Sequence, residues 1–267
     1  MNKLPDIRAL YAPVQPAVKQ TDEGVSYLEL LPAPALLNYI YCYWQLKTKV
    51  PLQTSFQYRV VADGCMDIFF EANDPQCSFI MGFSNAFTAF PLDQTFNYIG
   101  VRFLPGIFPL LFNVSAAELA NQSTPLQEVV PALTVFLRTI RAGNDMTAIK
   151  TSLDSFFQEQ ILHIHTAPDS RLYESIVQIM HNGGIVGIEN KLNVGISARQ
   201  LRRLFDFYIG DSPKAFSKVV RFQKLLQSPG NILKDRAYLD LGYFDQAHFI
   251  KDFKILYGLT PSQALKK

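Results

Sequence analysis

The sequence predicts a two-domain α+β protein, with a β-rich front domain over residues 1–165 and an all-α rear domain over residues 170–267. Two observations predict this division. Short runs of aromatic and β-branched residues, bounded by turn residues, recur over 24–103 and are typical of strands. From Pro105 onward apolar residues recur at helical spacing, and a polar segment with a proline, 165–170, separates the trailing helices of the front domain from the rear domain.

The strand pattern of the front domain favours a small barrel or a sandwich. The predicted strands cover 39–44, 58–61, 67–70, 79–81 and 98–103. Asp63 and Gly64 form the clearest hairpin-type pair among the turn residues. The predicted helices that follow cover 107–112, 115–119, 125–141 and 148–160.

Composition is that of an ordinary globular protein, with 48% hydrophobic and 18% charged residues. The first residues hold no apolar segment, and no run of about 18 apolar residues occurs, so we expect neither a signal peptide nor a membrane span. Cys42, Cys65 and Cys77 are odd in number and show no metal-binding spacing. We expect them to be reduced core residues of a cytoplasmic protein.

Charge is distributed unevenly along the chain. The net charge is +2 overall, but residues 1–168 sum to −4 and residues 169–267 to +6. A basic domain joined to an acidic one is typical of a nucleic-acid-binding module with a second function attached. A solvated basic face would give the same excess, so the charge needs support from a motif.

An internal repeat with an offset of 48 residues supplies that support. Ser197 and Asp245 occupy equivalent positions and are both good helix N-caps, because their side-chain oxygens can accept from free backbone N–H groups. Both predicted helices end at a glycine, Gly210 and Gly258, followed by Ser-Pro or Thr-Pro. Apolar residues flank each cap as in a hydrophobic staple: Ile196 with Leu201, and Phe244 with Phe249.

The faces opposite the apolar stripes carry the residues that could read DNA. Arginine forks match the acceptors on guanine, glutamine can pair with adenine, and the first turns of a recognition helix reach base edges. On the first helix the candidates are Arg199, Arg202 and Arg203. On the second they are Gln246, Ala247, His248 and Lys251. For His248 a base or phosphate contact and a mere capping role both stay open.

The same residues carry a family resemblance. The run 197–205 followed by 210–213 resembles the first helix-turn-helix unit of the AraC/XylS family, and 241–249 followed by 253–254 and 258–261 resembles the second. The resemblance implies a transcription regulator with seven helices in the rear domain. It also implies a linker helix at about 213–227, two recognition helices in successive major grooves of duplex DNA, and base contacts from the seven candidates above.

One predicted helix departs from the family pattern. The first helix of unit one is expected near 185–192, where Gly187 disfavours a helix interior. Asn190 and Lys191 also stand where family members usually carry apolar or small residues. We expect this helix to be short or shifted.

In the front domain, the stretches 60–70, 80–82 and 99–106 resemble a domain of unknown function, DUF6597, found on some AraC-like regulators. The resemblance implies a β-rich, cupin-like fold that senses a small-molecule effector or forms a homodimer. Asp67 and Arg102 could form a structural ion pair or line a pocket for a charged effector. Five aromatic residues could line an apolar pocket or simply fill the barrel: Tyr43, Trp44, Phe69, Phe83 and Phe103.

Two other function classes compete. A cupin-type metal oxygenase needs two or three histidines and a carboxylate inside the barrel. The four histidines, His163, His165, His181 and His248, all lie outside the predicted strands, and no catalytic or phosphate-binding motif occurs. We therefore expect no metal, no cofactor and no enzyme activity. A protein-interaction module without DNA binding is the other alternative, and the outward arginines and lysines argue against it.

Overall fold

The computed structural model describes residues 4–16, 24–140, 143, 145–164, 167–185, 192, 194–227 and 237–264. Its strands are β1 (Val25–Leu30), β2 (Ile40–Thr48), β3 (Phe56–Val60), β4 (Asp67–Glu71), β5 (Asp74–Met81), β6 (Thr88–Leu92), β7 (Asn97–Phe103) and β8 (Ser123–Pro125). The α-helices of the front half are α1 (Ile107–Phe112), α2 (Leu126–Val129), α3 (Pro131–Leu137) and α4 (Met146–Leu162). Those of the rear half are α5 (Ser170–His181), α6 (Ala198–Tyr208), α7 (Pro213–Gln227), α8 (Ala237–Asp240), α9 (Gln246–Tyr257) and α10 (Pro261–Ala264). Among the described helices, none has both the length and the apolar character that a membrane crossing requires.

The strands form two antiparallel sheets that pack together. Six strands make the larger sheet, in the order β1-β2-β7-β4-β5-β8, and β3 pairs with β6 in a two-stranded ribbon. Side chains alternate across the large sheet, so Phe70 and Phe103 pack against the helices while Trp44 and Phe69 face the ribbon. The predicted β-rich front half followed by helices is confirmed, although the sequence pattern had not picked out β1, β6 and β8.

Two local predictions in the front half are wrong. Asp63 and Gly64 do not close a hairpin, because β3 and β4 on either side of them belong to different sheets. Gly64 adopts a φ of 86° and carries the chain from one sheet to the other. The predicted helix over 125–141 is broken at Val130, because the following Pro131 disfavours a helical conformation in the residue before it.

The rear half is helical, as predicted, and the linker helix α7 spans Pro213–Gln227. Six of the seven implied helices lie among the described residues. Residues 186–191 of the helix expected near 185–192, among them Gly187, Asn190 and Lys191, lie outside the described residues.

The two halves share one apolar core. Residues of the front half and of the rear helices belong to a single cluster of buried side chains. The rings of Phe83 and Phe216 approach to 6.4 Å, and the Tyr173 hydroxyl donates to the Gly106 carbonyl at 3.3 Å. Burial of this kind is the main favourable term in folding, so the rear half is stabilised by the front half.

Candidate nucleic-acid interface and candidate effector cavity

The first candidate recognition helix, α6, has the predicted caps. The Ser197 hydroxyl accepts from the backbone N–H of Gln200 at 3.2 Å, and the Gln200 side-chain oxygen accepts from the backbone N–H of Ser197 at 3.1 Å. This capping box satisfies two backbone donors at once. Past the other end, Gly210 adopts the predicted left-handed conformation, with a φ of 98°.

The arginines of α6 lie on the solvent side of the helix. Leu201 and Phe205 are buried, whereas Arg199, Arg202 and Arg203 are exposed. The amphipathic helix therefore places all three guanidinium groups near its N-terminus and away from the core. In this position they can reach an external acceptor such as a base edge or a phosphate.

The second candidate recognition helix, α9, repeats the arrangement. The Asp245 side chain accepts from the backbone N–H of His248 at 2.7 Å, and Gly258 ends the helix with a φ of 86°. The stripe of Phe249, Phe253 and Leu256 is buried. All four candidate contact residues are exposed: Gln246, Ala247, His248 and Lys251.

The prediction that Phe244 forms the second hydrophobic staple is wrong. Phe244 is 87% exposed and makes no such packing contact. Tyr243 takes its place, because its buried ring lies 5.3 Å from that of Phe249. The packing residue lies one position before the one that the staple pattern indicates.

The linker helix α7 orients the start of α9 through residues that the sequence reasoning missed. The Lys218 ammonium lies 2.8 Å from the Asp252 carboxylate, whose other oxygen lies 3.4 Å from His248 Nε2. The Arg221 guanidinium stacks over the Tyr243 ring at 4.6 Å from its centroid. The i,i+4 spacing of His248 and Asp252 could have revealed the contact between these two residues.

The front half holds a cavity of about 330 Å³ between the large sheet and the ribbon. Its aromatic lining consists of Trp44, Tyr58, Phe69, Phe79, Phe90 and Tyr98. Of the five aromatic residues singled out in the sequence, Trp44 and Phe69 line this space. Tyr43, Phe83 and Phe103 are fully buried in the main core instead. Tyr43 and Trp44 are neighbours on one strand and so face opposite sides of the sheet.

Charged groups form a cluster in the wall of the cavity. Asp67 and Arg102 lie opposite each other on β4 and β7, and Arg102 Nη2 donates to Asp67 at 3.0 Å. Arg102 Nε also lies 3.5 Å from Asp63, and Trp44 Nε1 donates to Asp67 at 3.0 Å. Asp67 and Arg102 therefore form the ion pair of the first sequence alternative and also line the cavity, while a charged effector in that cavity stays a prediction.

Burial makes this cluster electrostatically sensitive. Desolvation raises the pKa of Asp67 to about 6 against the opposing effect of the Arg102 guanidinium, and the charge of Asp63 adds to the rise. The sequence reasoning treated Asp63 only as a turn residue and missed its place in this wall. Gly100 makes room for the cluster, since a Cβ atom there would lie 2.1 Å from the Trp44 indole.

The segment 61–63 joins the cavity to the rear helices. The Asp63 carboxylate accepts from Gln15 Nε2 at 2.9 Å. The carbonyl of Ala62 accepts from Gln223 of α7 at 2.7 Å, and its N–H donates to the Leu256 carbonyl of α9 at 3.3 Å. Val61, Ala62 and Asp63 all line the cavity, so the same short segment contacts the cavity, the linker helix and the second recognition helix.

A second segment makes a parallel connection at the other edge of the cavity. Ser84 and Ala86 line the cavity, and the backbone N–H of Phe87 donates to the Ile255 carbonyl of α9 at 2.9 Å. Gly258 permits this approach, because a Cβ atom there would lie 2.7 Å from the Phe87 ring. The cavity wall thus holds the C-terminal end of α9 at two points.

Two capped helices, each with a buried stripe and an exposed polar face, and joined by a long helix, define a tandem helix-turn-helix protein. Residues 193–267 match the family described as a helix-turn-helix domain, which is of the AraC type, and residues 28–125 match the domain of unknown function DUF6597. The two matched domains, in this order, are those of an AraC-family regulator of transcription with an N-terminal DUF6597 domain. No curated protein and no solved structure matches the chain.

We also searched the described part of the chain for side chains that could bind a metal ion together. No group of three or more His, Cys, Asp or Glu side chains there could hold a metal ion. His163, His181 and His248 belong to this part, whereas His165 lies outside the described residues.

Proposed function

We propose that this regulator binds a specific duplex DNA sequence through α6 and α9, and that a small molecule in the front cavity changes this binding. We assign the front half, residues 1–165, to sensing and residues 170–267 to DNA binding. One observation carries the proposal: the segments that line the cavity are the ones that hold the end of α9 and the linker helix. In this proposal the protein is a regulator and not an enzyme.

The DNA contacts divide between the two helices. Arg199, Arg202 and Arg203 of α6 would donate to guanine acceptors and phosphates in one half-site. In the other half-site, α9 would contribute its exposed first turns through Gln246, Ala247, His248 and Lys251. Support comes from the exposure of all seven residues on N-terminal turns, the part of a recognition helix that reaches base edges.

Control by an effector follows from the hydrogen bonds of the segment 61–63. A ligand in contact with Asp63 would shift this segment, and Ala62 would transmit the shift to Gln223 and Leu256. Coupling between two sites is reciprocal, so DNA would change the affinity for the ligand by the same factor. A second copy of the chain as partner stays a prediction from the family resemblance.

Selection of binding sites from random duplexes with the full chain tests the proposal. We expect one preferred sequence with two half-sites and an affinity that falls steeply with salt, because bound phosphates release counterions. Recovery of no preferred sequence, or an affinity independent of salt, would contradict DNA recognition by this surface.

A further inference from the structure

We propose that the cavity between the large sheet and the ribbon binds a small-molecule amine, with its ammonium group against Asp63 and Asp67. Its apolar body would lie among the aromatic side chains. The inference rests on the proposed function and names the chemical class of the effector. It stands on the charge balance of the cluster, the lining of the cavity and its volume.

The charge balance favours a cation. Two carboxylates surround one guanidinium, and Arg102 directs its donors at Asp67. The side chains of Asp63 and Asp67 are 10% and 15% exposed, whereas that of Arg102 is 3% exposed. Of the three charged groups in the cavity wall, the two carboxylates are therefore more accessible to a ligand than the guanidinium. An ammonium group would complete the neutralisation and donate charge-assisted hydrogen bonds to these oxygens.

The aromatic lining favours the same charge. The faces of Trp, Tyr and Phe rings carry negative electrostatic potential, so they attract a cation that lies against them. Phe69 and Phe90 extend across the space between the sheet and the ribbon, with ring centroids 5.8 Å apart, and Trp44 and Tyr58 also line it. A carboxylate ligand would be repelled by the negative potential of the ring faces and by the charges of the two aspartates, so it would bind poorly.

The volume limits the ligand to a small molecule. A cavity of about 330 Å³ lies at the lower end of the usual range of ligand pockets, about 300–1,000 Å³. An amine with a phenyl, indole or medium-length alkyl body fits this space. The predominantly apolar lining provides the burial that such a body requires.

The test uses three matched series of probes with the full chain. The first comprises 2-phenylethylamine, 2-phenylethanol and 3-phenylpropanoate; the second tryptamine, tryptophol and indole-3-propanoate; the third decylamine, decanol and decanoate. Binding is measured by titration calorimetry at neutral pH. We expect at least one amine to bind, about tenfold more tightly than its alcohol, with the carboxylate weakest. An alcohol or carboxylate that binds as tightly as its amine would overturn the inference, and so would a failure of all nine probes to bind.

A pair of variants tests whether the carboxylates of the charged cluster cause the preference for amines. We expect Asp67→Asn to remove most of the difference between amine and alcohol while the alcohol still binds. Glu128→Gln, the same change at an exposed carboxylate outside the cavity, should leave the difference intact. Thermal unfolding shows whether Asp67→Asn is folded, and Asp63→Asn replaces it if it is not. An undiminished preference in a folded aspartate variant would contradict the assignment.

The DNA affinity of the same samples separates this inference from the proposed function. If amines bind but leave DNA affinity unchanged, the ligand class stands and effector control fails. If a carboxylate or an alcohol, and no amine, changes DNA affinity, effector control stands and the ligand class is wrong.

Discussion

The exposed surface of α6 and α9 and the cavity of the front half differ in how they hold the side chains to which we assign a binding role. The surface of α6 and α9 presents arginine, lysine and glutamine on the outer faces of two helices, exposed to solvent. The cavity buries Asp63, Asp67 and Arg102 in a network in which each group depends on the others. The comparison predicts that changes of charge have the larger effect on the exposed surface, whereas changes of packing have the larger effect on the cavity.

The largest expected effect comes from removing the α6 arginines together. Arg199→Ala, Arg202→Ala and Arg203→Ala in one chain should lower DNA affinity at least 100-fold, since each good base contact is worth about 1–3 kcal/mol. The slope of affinity against salt should also decrease. Fluorescence anisotropy with the selected duplex measures both. Arg138→Ala, which removes an exposed arginine of the front half, is the control. Equal losses in the triple variant and the control would show that general charge, and not this surface, binds DNA.

A packing change in the cavity wall should have the next largest effect. Gly100→Ala places a methyl group against the Trp44 indole and should cost about 1–3 kcal/mol of stability through overpacking. Denaturant unfolding measures the loss. Trp44→Phe relieves the contact, so the double variant should lose less than the sum of the two single losses. Additive losses would mean that the indole does not occupy the space beside Gly100.

A smaller effect is expected at the connection between the two sites. Gln223→Met removes the hydrogen bond to the Ala62 carbonyl, together with those to the backbone of Val14, but keeps the size of the side chain. We expect the effect of a bound amine on DNA affinity to fall several-fold, because the coupling free energy is only about 1–3 kcal/mol in typical cases. Gln160→Met, at a half-buried position of α4, serves as the control. Coupling that survives Gln223→Met unchanged would place the connection elsewhere, with Phe87 and Ile255 the next contact to test.

The smallest effect is a pH dependence of amine binding. Burial raises the pKa of Asp67 to about 6, and an ammonium group favours the ionised form of this carboxyl group. Below that pKa, Asp67 must therefore lose a proton when the amine binds. Affinity should be constant above that pKa and should fall as pH decreases through it. The titratable groups around Asp67 are Asp63, Arg102, Cys42, Tyr58 and Cys65. Burial raises the pKa of the thiols and the phenol, so these groups stay neutral over the same range. Calorimetry between pH 5 and 8 measures the profile, and an affinity that rises toward low pH would contradict it.

The two sites also differ in how far the sequence alone could predict them. Caps such as Ser197 and Asp245 act within one turn of chain, and exposure follows from helical periodicity, so the caps and the exposed faces of α6 and α9 were predictable. The cavity depends on strand register, which places Trp44 opposite Gly100 and Asp67 opposite Arg102. Local patterns do not encode that register. The misassigned staple at Phe244 and the missed role of Asp63 have the same cause, because both depend on tertiary contacts that a local pattern does not contain.

The division of DNA contacts between two helices is tested most directly by mapping base preferences of the full chain. Arg203→Ala and Gln246→Ala each remove one candidate contact, and the preferred duplex is determined for each by selection and compared with that of the unaltered chain. We expect each variant to relax base choice at its own cluster of positions, with the two clusters separated by about one helical turn of DNA. If both variants alter the same base pairs, or neither alters any, the two-helix assignment is wrong.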